Sequence, residues 1–386
     1  MDDRAFALVK QLRHELHEHP ELSNEEHWTK SHLVEFLRRY TALEIVDRGS
    51  WFYAVYRSEK EGRRIAFRAD YDAIPMEELI DLPYGSKVPG VAHKCGHDGH
   101  AASLAGFALE IDRTGSDNSI FFLFQPAEET GEGAVQCTPF IKENDIDEIF
   151  AYHNMSGIPC RSIAVIDGTA ACASRGMILH FEGAPSHASA PEKGRNPAYA
   201  IGKVLCALPD LADTRHTKGL VLCTVIQVAV GERAFGVSAG TGELLLTIRA
   251  LFEDELDALQ SRIEGEALRQ AGQYELTVRF STVDSFPETV NHKESSDKVR
   301  DVAREKGYEL VELSEPHRGS EDFGYFTKET KGAMFYIGNG EDYPPLHTHA
   351  YDFRDELIPI AVAMFKGLAE GQKGSEKASQ NDEGHG

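Results

Sequence analysis

The chain has 386 residues, 41% of them hydrophobic and 27% charged, with a formal net charge of −23 at pH 7. That is long enough for two domains with proper cores, in a composition ordinary for a globular protein. The negative balance opposes binding to nucleic acid or to an anionic membrane surface, since both need a basic face. No apolar run approaches the ~20 residues of a membrane span.

The acidic start Met1-Asp2-Asp3-Arg4 leads straight into an amphipathic pattern and does not read as a signal peptide. Phe6, Leu8, Val9, Leu12 and Leu16 keep helical spacing up to a break at His19-Pro20. A second helix is predicted from a cap region at Ser23-Asn24-Glu25-Glu26, carrying Leu33, Val34, Phe36 and Leu37. Apolar runs at 51–56, 64–69 and 119–125 predict strands, the last buried on both faces. Residues 99–111, rich in Ala and Leu, predict a helix, and 149–152 a strand ending at His153. Strands alternating with helices point to a parallel α/β sheet.

The middle of the chain changes rhythm. It reads as strand 177–183, helix 197–208, strand 220–230, strand 243–250, helix 254–270 and strand 274–283. That order is βαββαβ, the ferredoxin-like split unit. After Phe286-Pro287 the α/β pattern resumes, with a helix at 295–306, a strand at 333–337 and a last helix at 357–368. The expected organisation is one α/β domain from 1–175 and 287–370, an inserted domain over 176–286, and a polar, disordered tail over 371–386. Six cysteines at 95, 137, 160, 172, 206 and 223 show no paired framework, which predicts reduced thiols in a cytoplasmic protein.

The densest chemistry lies in His93-Lys94-Cys95-Gly96-His97-Asp98-Gly99-His100. Imidazole, thiolate and carboxylate packed this closely suit a transition metal. No second Cys/His pair follows at finger-like spacing, so the block reads as part of an open catalytic site. Gln125-Pro126-Ala127-Glu128-Glu129 follows a strand, where open α/β sheets place ligands. Adjacent carboxylates in a turn point apart, so one can bind metal while the other addresses a water. An acidic helix start accounts for the pair equally well. His153-Asn154 ends a strand, and Leu346-His347-Thr348-His349 lies in a Pro-rich loop; alone, these read as a core histidine and solvated ones.

These blocks, with Arg68-Ala69-Asp70-Tyr71-Asp72-Ala73-Ile74-Pro75 and Gly319-Ser320-Glu321-Asp322-Phe323, occur in an order that resembles the amidohydrolase branch of the aminoacylase/carboxypeptidase-type metallopeptidases. Hippurate hydrolases, N-acyl-amino-acid deacylases, N-acetyldiaminopimelate deacetylases and auxin-conjugate hydrolases belong to that branch. The resemblance spans nearly the whole chain apart from its tail. It implies a zinc-peptidase-like α/β catalytic domain with an inserted lid, and metal-dependent cleavage of N-acyl amino acids. By position it makes Cys95, His97, Glu129, His153 and His347 ligands of two divalent ions (Zn, Mn, Co or Ni), with Glu128 as general base. It places Asp70 and Asp72 around the ligands, Asp98 and His100 either there or as helix-start residues, and Asn291, Arg249 and Glu321 near the substrate. His187, in Pro185-Ser186-His187-Ala188-Ser189, is implied to reach the substrate and stabilise its oxyanion, often from a neighbouring subunit, which implies a homodimer through the lid; a surface turn is the alternative. The sequence departs from the pattern at Thr130-Gly131-Glu132-Gly133, Lys94 and His349, which affects substrate preference more than the metal set. Other readings are a hydrolase with Cys95 as nucleophile, a dipeptidase or carboxypeptidase on the same metal core, and a non-catalytic binding protein.

Overall fold

The computed structural model describes residues 1–371; the rest of the tail, 372–386, lies outside the described residues. An eight-stranded sheet runs in the order Glu44–Asp47, Phe52–Tyr56, Ser119–Gln125, Arg64–Asp70, Glu148–Ser156, Lys331–Gly340, Ile163–Val165, Leu310–Glu312. The four strands from Ser119–Gln125 to Lys331–Gly340 are parallel neighbours, as the alternating rhythm predicts. The margins join this block in the antiparallel sense, although the outermost strand on one side, Leu310–Glu312, runs parallel to Ile163–Val165. Phe52–Tyr56 runs antiparallel to Ser119–Gln125 and forms a hairpin with Glu44–Asp47, because the turn at 48–51 is too short for a crossover. Ile163–Val165 is likewise antiparallel to Lys331–Gly340.

Strand periodicity divides the sheet between two cores. Phe52, Phe67, Phe122, Phe150 and Phe335 face one layer with residues of the helices Asp3–Glu18, His97–Thr114 and Ile358–Glu370. Tyr53, Phe121, Ile149 and Met334 face the other, with Ala134, Phe140 and Phe326 from short helices. The His97–Thr114 helix is buried along almost its whole length, which its Ala- and Gly-rich sequence permits.

A second, antiparallel sheet runs in the order Val221–Val230, Thr241–Ala250, Ala173–Glu182, Thr277–Phe286. The helices Ala198–Leu211 and Glu253–Gln273 share its core. This is the ferredoxin-like arrangement of a βαββαβ chain. Its first strand starts at Ala173, ahead of the expected 177, because Ala173-Ser174-Arg175-Gly176 lacks the apolar bulk by which a strand is read. On the opposite face Val225, Ile226 and Val228 are exposed on the edge strand. The two chain crossings between the sheets lie side by side, pairing Phe286 with Ser174 and Thr289 with Ala171. Among the described residues, no helix is long and apolar enough to cross a membrane.

Candidate active site

The carboxyl ends of three parallel strands deliver Asp70, Gln125 and His153 to one edge of the sheet, and the start of the His97–Thr114 helix meets them there. Gly96 makes that possible. It precedes the helix at φ +102°, and a Cβ there would lie 2.3 Å from Asn154 Oδ1 and 2.6 Å from the Tyr351 hydroxyl. Only glycine satisfies both demands. The turn it makes sends Cys95 and His97 toward the cleft.

Five of the singled-out residues converge as two groups sharing one atom. Cys95, His97 and His153 bring a thiol and two ring nitrogens within 4.8 Å of one another; Cys95, Glu129 and His347 do the same with a thiol, a carboxylate and a ring. The three histidines are each held by a further contact. Asp72 Oδ1 lies 3.0 Å from His97 Nδ1, so that Nε2 faces the cluster. The Asn154 carbonyl lies 2.7 Å from His153 Nδ1, leaving His153 Nε2 3.4 Å from the Cys95 sulfur. His347, at φ +57°, donates its backbone N–H to the Lys94 carbonyl at 2.8 Å, and its Nε2 sits 3.2 Å from Glu129 Oε1. Partners of this kind fix ring orientation and tautomer at metal centres.

The donor set fits divalent ions. His97 Nε2 is buried with no hydrogen-bond partner, which is costly unless something else satisfies it. Charge argues the same way. Asp70, Asp72, Glu128, Glu321 and Asp322 are buried, with Glu129 beside them, and the buried cation among them is Arg68. Arg68 pairs with Asp70 at 2.7 Å, Asp322 at 2.7 Å and Glu321 at 3.0 Å. One guanidinium does not balance so many carboxylates, and an uncompensated buried charge is expensive.

Proton affinities follow the crowding. Burial, then Glu321, Glu129 and Asp322, push Glu128 well above the usual carboxylate range. Burial and Glu321 push Asp322 up to about 8, although Arg68 pulls the other way. Burial raises the Cys95 thiol, with Glu129 adding to it. Burial also disfavours charge on His97, yet Asp70 and Cys95 hold its affinity above that of an ordinary histidine.

The other expected residues divide. Asp72 joins two ligands, receiving the Glu129 amide at 3.0 Å as well as the His97 ring. Asp70 bonds His100 Nδ1 at 2.7 Å, and His100 Nε2 lies 2.7 Å from Asn154 Oδ1. Arg249 and Glu321 line the cleft, with Arg249 Nη1 2.6 Å from the Ser320 hydroxyl. Three of the expected residues are engaged elsewhere. Asp98 lies on the far side of the motif, 2.8 Å from both Arg13 Nε and His17 Nδ1, and touches none of the five donors. Asn291 is buried, and backbone groups occupy its amide: it donates to the carbonyls of Ile166 and Met334 and accepts from the Met334 N–H, so it offers nothing to a substrate. His187 is exposed on the two-residue strand Ser186–His187, bonded to Ser189, and is not among the described residues lining the cleft of its own chain.

Asp322 stands within its sequence block without an assigned role, and His317 goes unmarked there. Asp322 accepts from the Gln125 side chain and from the Ala134 amide at 2.8 Å. His317 lines the cleft, its Nδ1 accepting from the Gly319 N–H at 3.1 Å. The cleft itself has a volume of about 710 Å³ and is lined from both sheets and their loops, by Arg249, His317, Ser320, Met155, Tyr343 and Leu346 among others.

Residues 66–371 match the model of peptidase family M20/M25/M40. The chain belongs to this family. It is 29% identical over 368 residues to the hippurate hydrolase of Campylobacter jejuni, covering 93% of this chain and 95% of the relative. To the N-acetylcysteine deacetylase of Bacillus subtilis it is 28% identical over 377 residues, covering 96% and 98%. The crystal structure of the B. subtilis YXEP protein, a dinuclear metal binding peptidase from the M20 family, superposes with a TM-score of 0.80 at 26% identity, covering 95% of this chain and 98% of that one.

Proposed function

We propose that this M20-family chain is a metal-dependent amidohydrolase that cleaves N-acyl amino acids to a carboxylic acid and a free amino acid. The observation that carries this reading is the pair of donor groups meeting at Cys95 with Glu128 beside them. Cys95, His97 and His153 would hold one divalent ion; Glu129 and His347, with Cys95 shared, would hold the other. Sulfur, nitrogen and oxygen donors together suit Zn, Mn, Co or Ni. When bound, such ions supply Lewis acidity toward a water and an acyl carbonyl.

The remaining work falls to the chain's own groups. Glu128 takes a proton from the attacking water as its oxygen bonds to the acyl carbon. It returns that proton to the amine nitrogen as the C–N bond breaks. Its raised proton affinity, set by burial and Glu321, suits both halves of that transfer. Arg249 offers a cation to the substrate carboxylate. We assign residues 1–172 and 287–370 to the catalytic domain and 173–286 to the lid, the boundary moving from the expected 175/176 because the lid strand starts at Ala173. A homodimer through the lid accounts for His187, which is exposed, does not line its own cleft and would serve a partner's. The exposed Val225, Ile226 and Val228 on the edge strand support that interface. Six free thiols, with Cys160 and Cys206 exposed, suit the cytoplasm.

The test is a substrate screen on protein reconstituted with Mn²⁺, Co²⁺ or Zn²⁺, with metal content measured alongside. N-acetyl and N-benzoyl amino acids are expected to be hydrolysed in preference to dipeptides. Preference for dipeptides selects a peptidase on the same metal core. Inactivity of fully loaded protein on both classes ends the enzyme reading.

A further inference from the structure

The loop that carries Glu128 and Glu129 is held by carboxylates from distant parts of the chain. Asp72 accepts from the Glu129 amide at 3.0 Å and Asp322 from the Ala134 amide at 2.8 Å. The third is Glu26, whose Oε1 accepts from the Ala127 N–H at 2.7 Å. Ala127 is fully buried and sits at φ +49°, a left-handed conformation that a residue with a Cβ adopts at a cost. Such conformations persist where the surroundings over-determine them. The left-handed kink immediately precedes Glu128.

Glu26 is not spent on its own helix. It occupies the cap position of His27–Tyr40, yet its side chain makes no capping bond. The first-turn amides of Trp28 and Thr29 donate instead to Glu21, at 3.0 and 2.8 Å. The segment around Glu26 grips the same region twice more: the Ser23 hydroxyl donates to Asp72 Oδ2 at 2.7 Å, and the Asn24 amide donates to Glu132 Oε2 at 2.6 Å. It is anchored in turn by the Ala73 N–H donating to the Glu21 carbonyl at 2.8 Å. A buried carboxyl released from capping, aimed at a strained amide beside the acid–base residue, has a purpose beyond packing.

We propose that Glu26 is a positioning residue for the reaction: by holding the Ala127 amide it fixes the kink that aims Glu128 and Glu129. This rests on the catalytic roles given above to those two residues. Burial and the nearby Asp72 push Glu26 up to about 7. Its Oε1 keeps a lone pair in either protonation state, so the acceptor rather than the charge is what the loop requires.

Three variants of the full chain, loaded with Mn²⁺, test this: Glu26→Ala, Glu26→Asp and Glu26→Gln. Amide hydrogen exchange is followed in peptides covering 126–133 and 97–114, and kcat and KM are measured on an N-acyl amino acid. Glu26→Ala is expected to speed exchange in 126–133 while leaving 97–114 unchanged, and to lower kcat about 10²-fold with KM little affected. Glu26→Gln, which keeps an acceptor at the same reach, is expected to restore both. Glu26→Asp keeps the charge but falls short of Ala127, so it should behave like Ala; it also serves if the Ala variant does not fold. Unchanged exchange in 126–133, or faster exchange with wild-type kcat, would overturn the proposal. If the wild type hydrolyses no amide, the functional reading falls and the exchange comparison alone decides whether Glu26 holds the loop.

Discussion

Two buried clusters of charge flank the same eight-residue motif, and they are built on opposite principles. On the cleft side, Cys95 and His97 join a group in which carboxylates outnumber their single buried guanidinium. On the far side, His17, Arg13 and Lys94 face Asp98, Glu78 and Asp352. Arg13 pairs with Asp98 and Asp352, His17 with Asp98 and Glu78, and Lys94 with Glu78 and the Tyr351 carbonyl. Both regions are dense in titratable groups. What separates a metal centre from a structural ion network is therefore the surplus: one cluster balances internally, and the other is complete only with cations. Lys94, unusual at its position, belongs to the balanced side and so leaves the donor set undisturbed.

The contrast breaks most sharply at Glu128. Glu128→Gln is expected to cut turnover by about 10²–10⁴-fold while metal content stays at the wild-type level; turnover near wild type would remove Glu128 as the proton carrier. Next comes the balanced side. Arg13→Leu leaves Asp98 buried without its guanidinium, which is expected to cost about 3–5 kcal/mol, read as a lower urea midpoint with metal affinity retained. A midpoint equal to wild type would mean the network is not a stabilising one. Gly96→Ala sits on the divide. It is expected to cost at least the ~1–2 kcal/mol of a left-handed conformation, together with a clash at Asn154, lowering Tm and metal content at once. A loss of Tm with full metal content would place the strain on the structural side alone.

The smallest effect is in acid. Burial by itself raises Glu78, but hydrogen bonds from His17 and Lys94 hold it down at about 2. A carboxylate whose folded pKa lies below its unfolded value stabilises the fold above the unfolded value, and that stabilisation drains away as pH falls toward the folded one. The window runs from about 4.5 down to about 2. Glu78→Gln is expected to flatten the pH dependence of unfolding there, measured by urea titration at several pH values. An unaltered slope would exclude Glu78 as its source.

The parts legible in the sequence were those whose information is local. The alternation that sends Phe67 and Ala66 to different cores marks its strand directly, and the ligand blocks announce themselves by residue type at the strand ends. Direction was harder to read. Asp98 follows the ligand His97 by one residue, yet one helical step of 100° turns it toward Arg13 rather than the cleft. Asn291 has the chemistry of a substrate contact and spends it on backbone. Glu26 and Ala127 are 101 residues apart, and nothing in either segment names the other. The antiparallel margins of the large sheet depend on pairing choices that hydrophobic pattern alone does not encode.

The paired crossings between the sheets carry a mechanical consequence. Phe286 with Ser174 and Thr289 with Ala171 make the connection a two-stranded ribbon rather than two independent tethers. A ribbon flexes across its thin direction and resists shear in its own plane, so rotation of one sheet against the other is confined to nearly one axis. Groups beside that axis, such as Ser174 and its hydroxyl partner Ser320 at 2.5 Å, hardly travel. His187, on its separate small strand pair, rides a long lever arm. Small angular changes thus leave the floor of the cleft in register while sweeping His187, which lies outside it, through the widest arc.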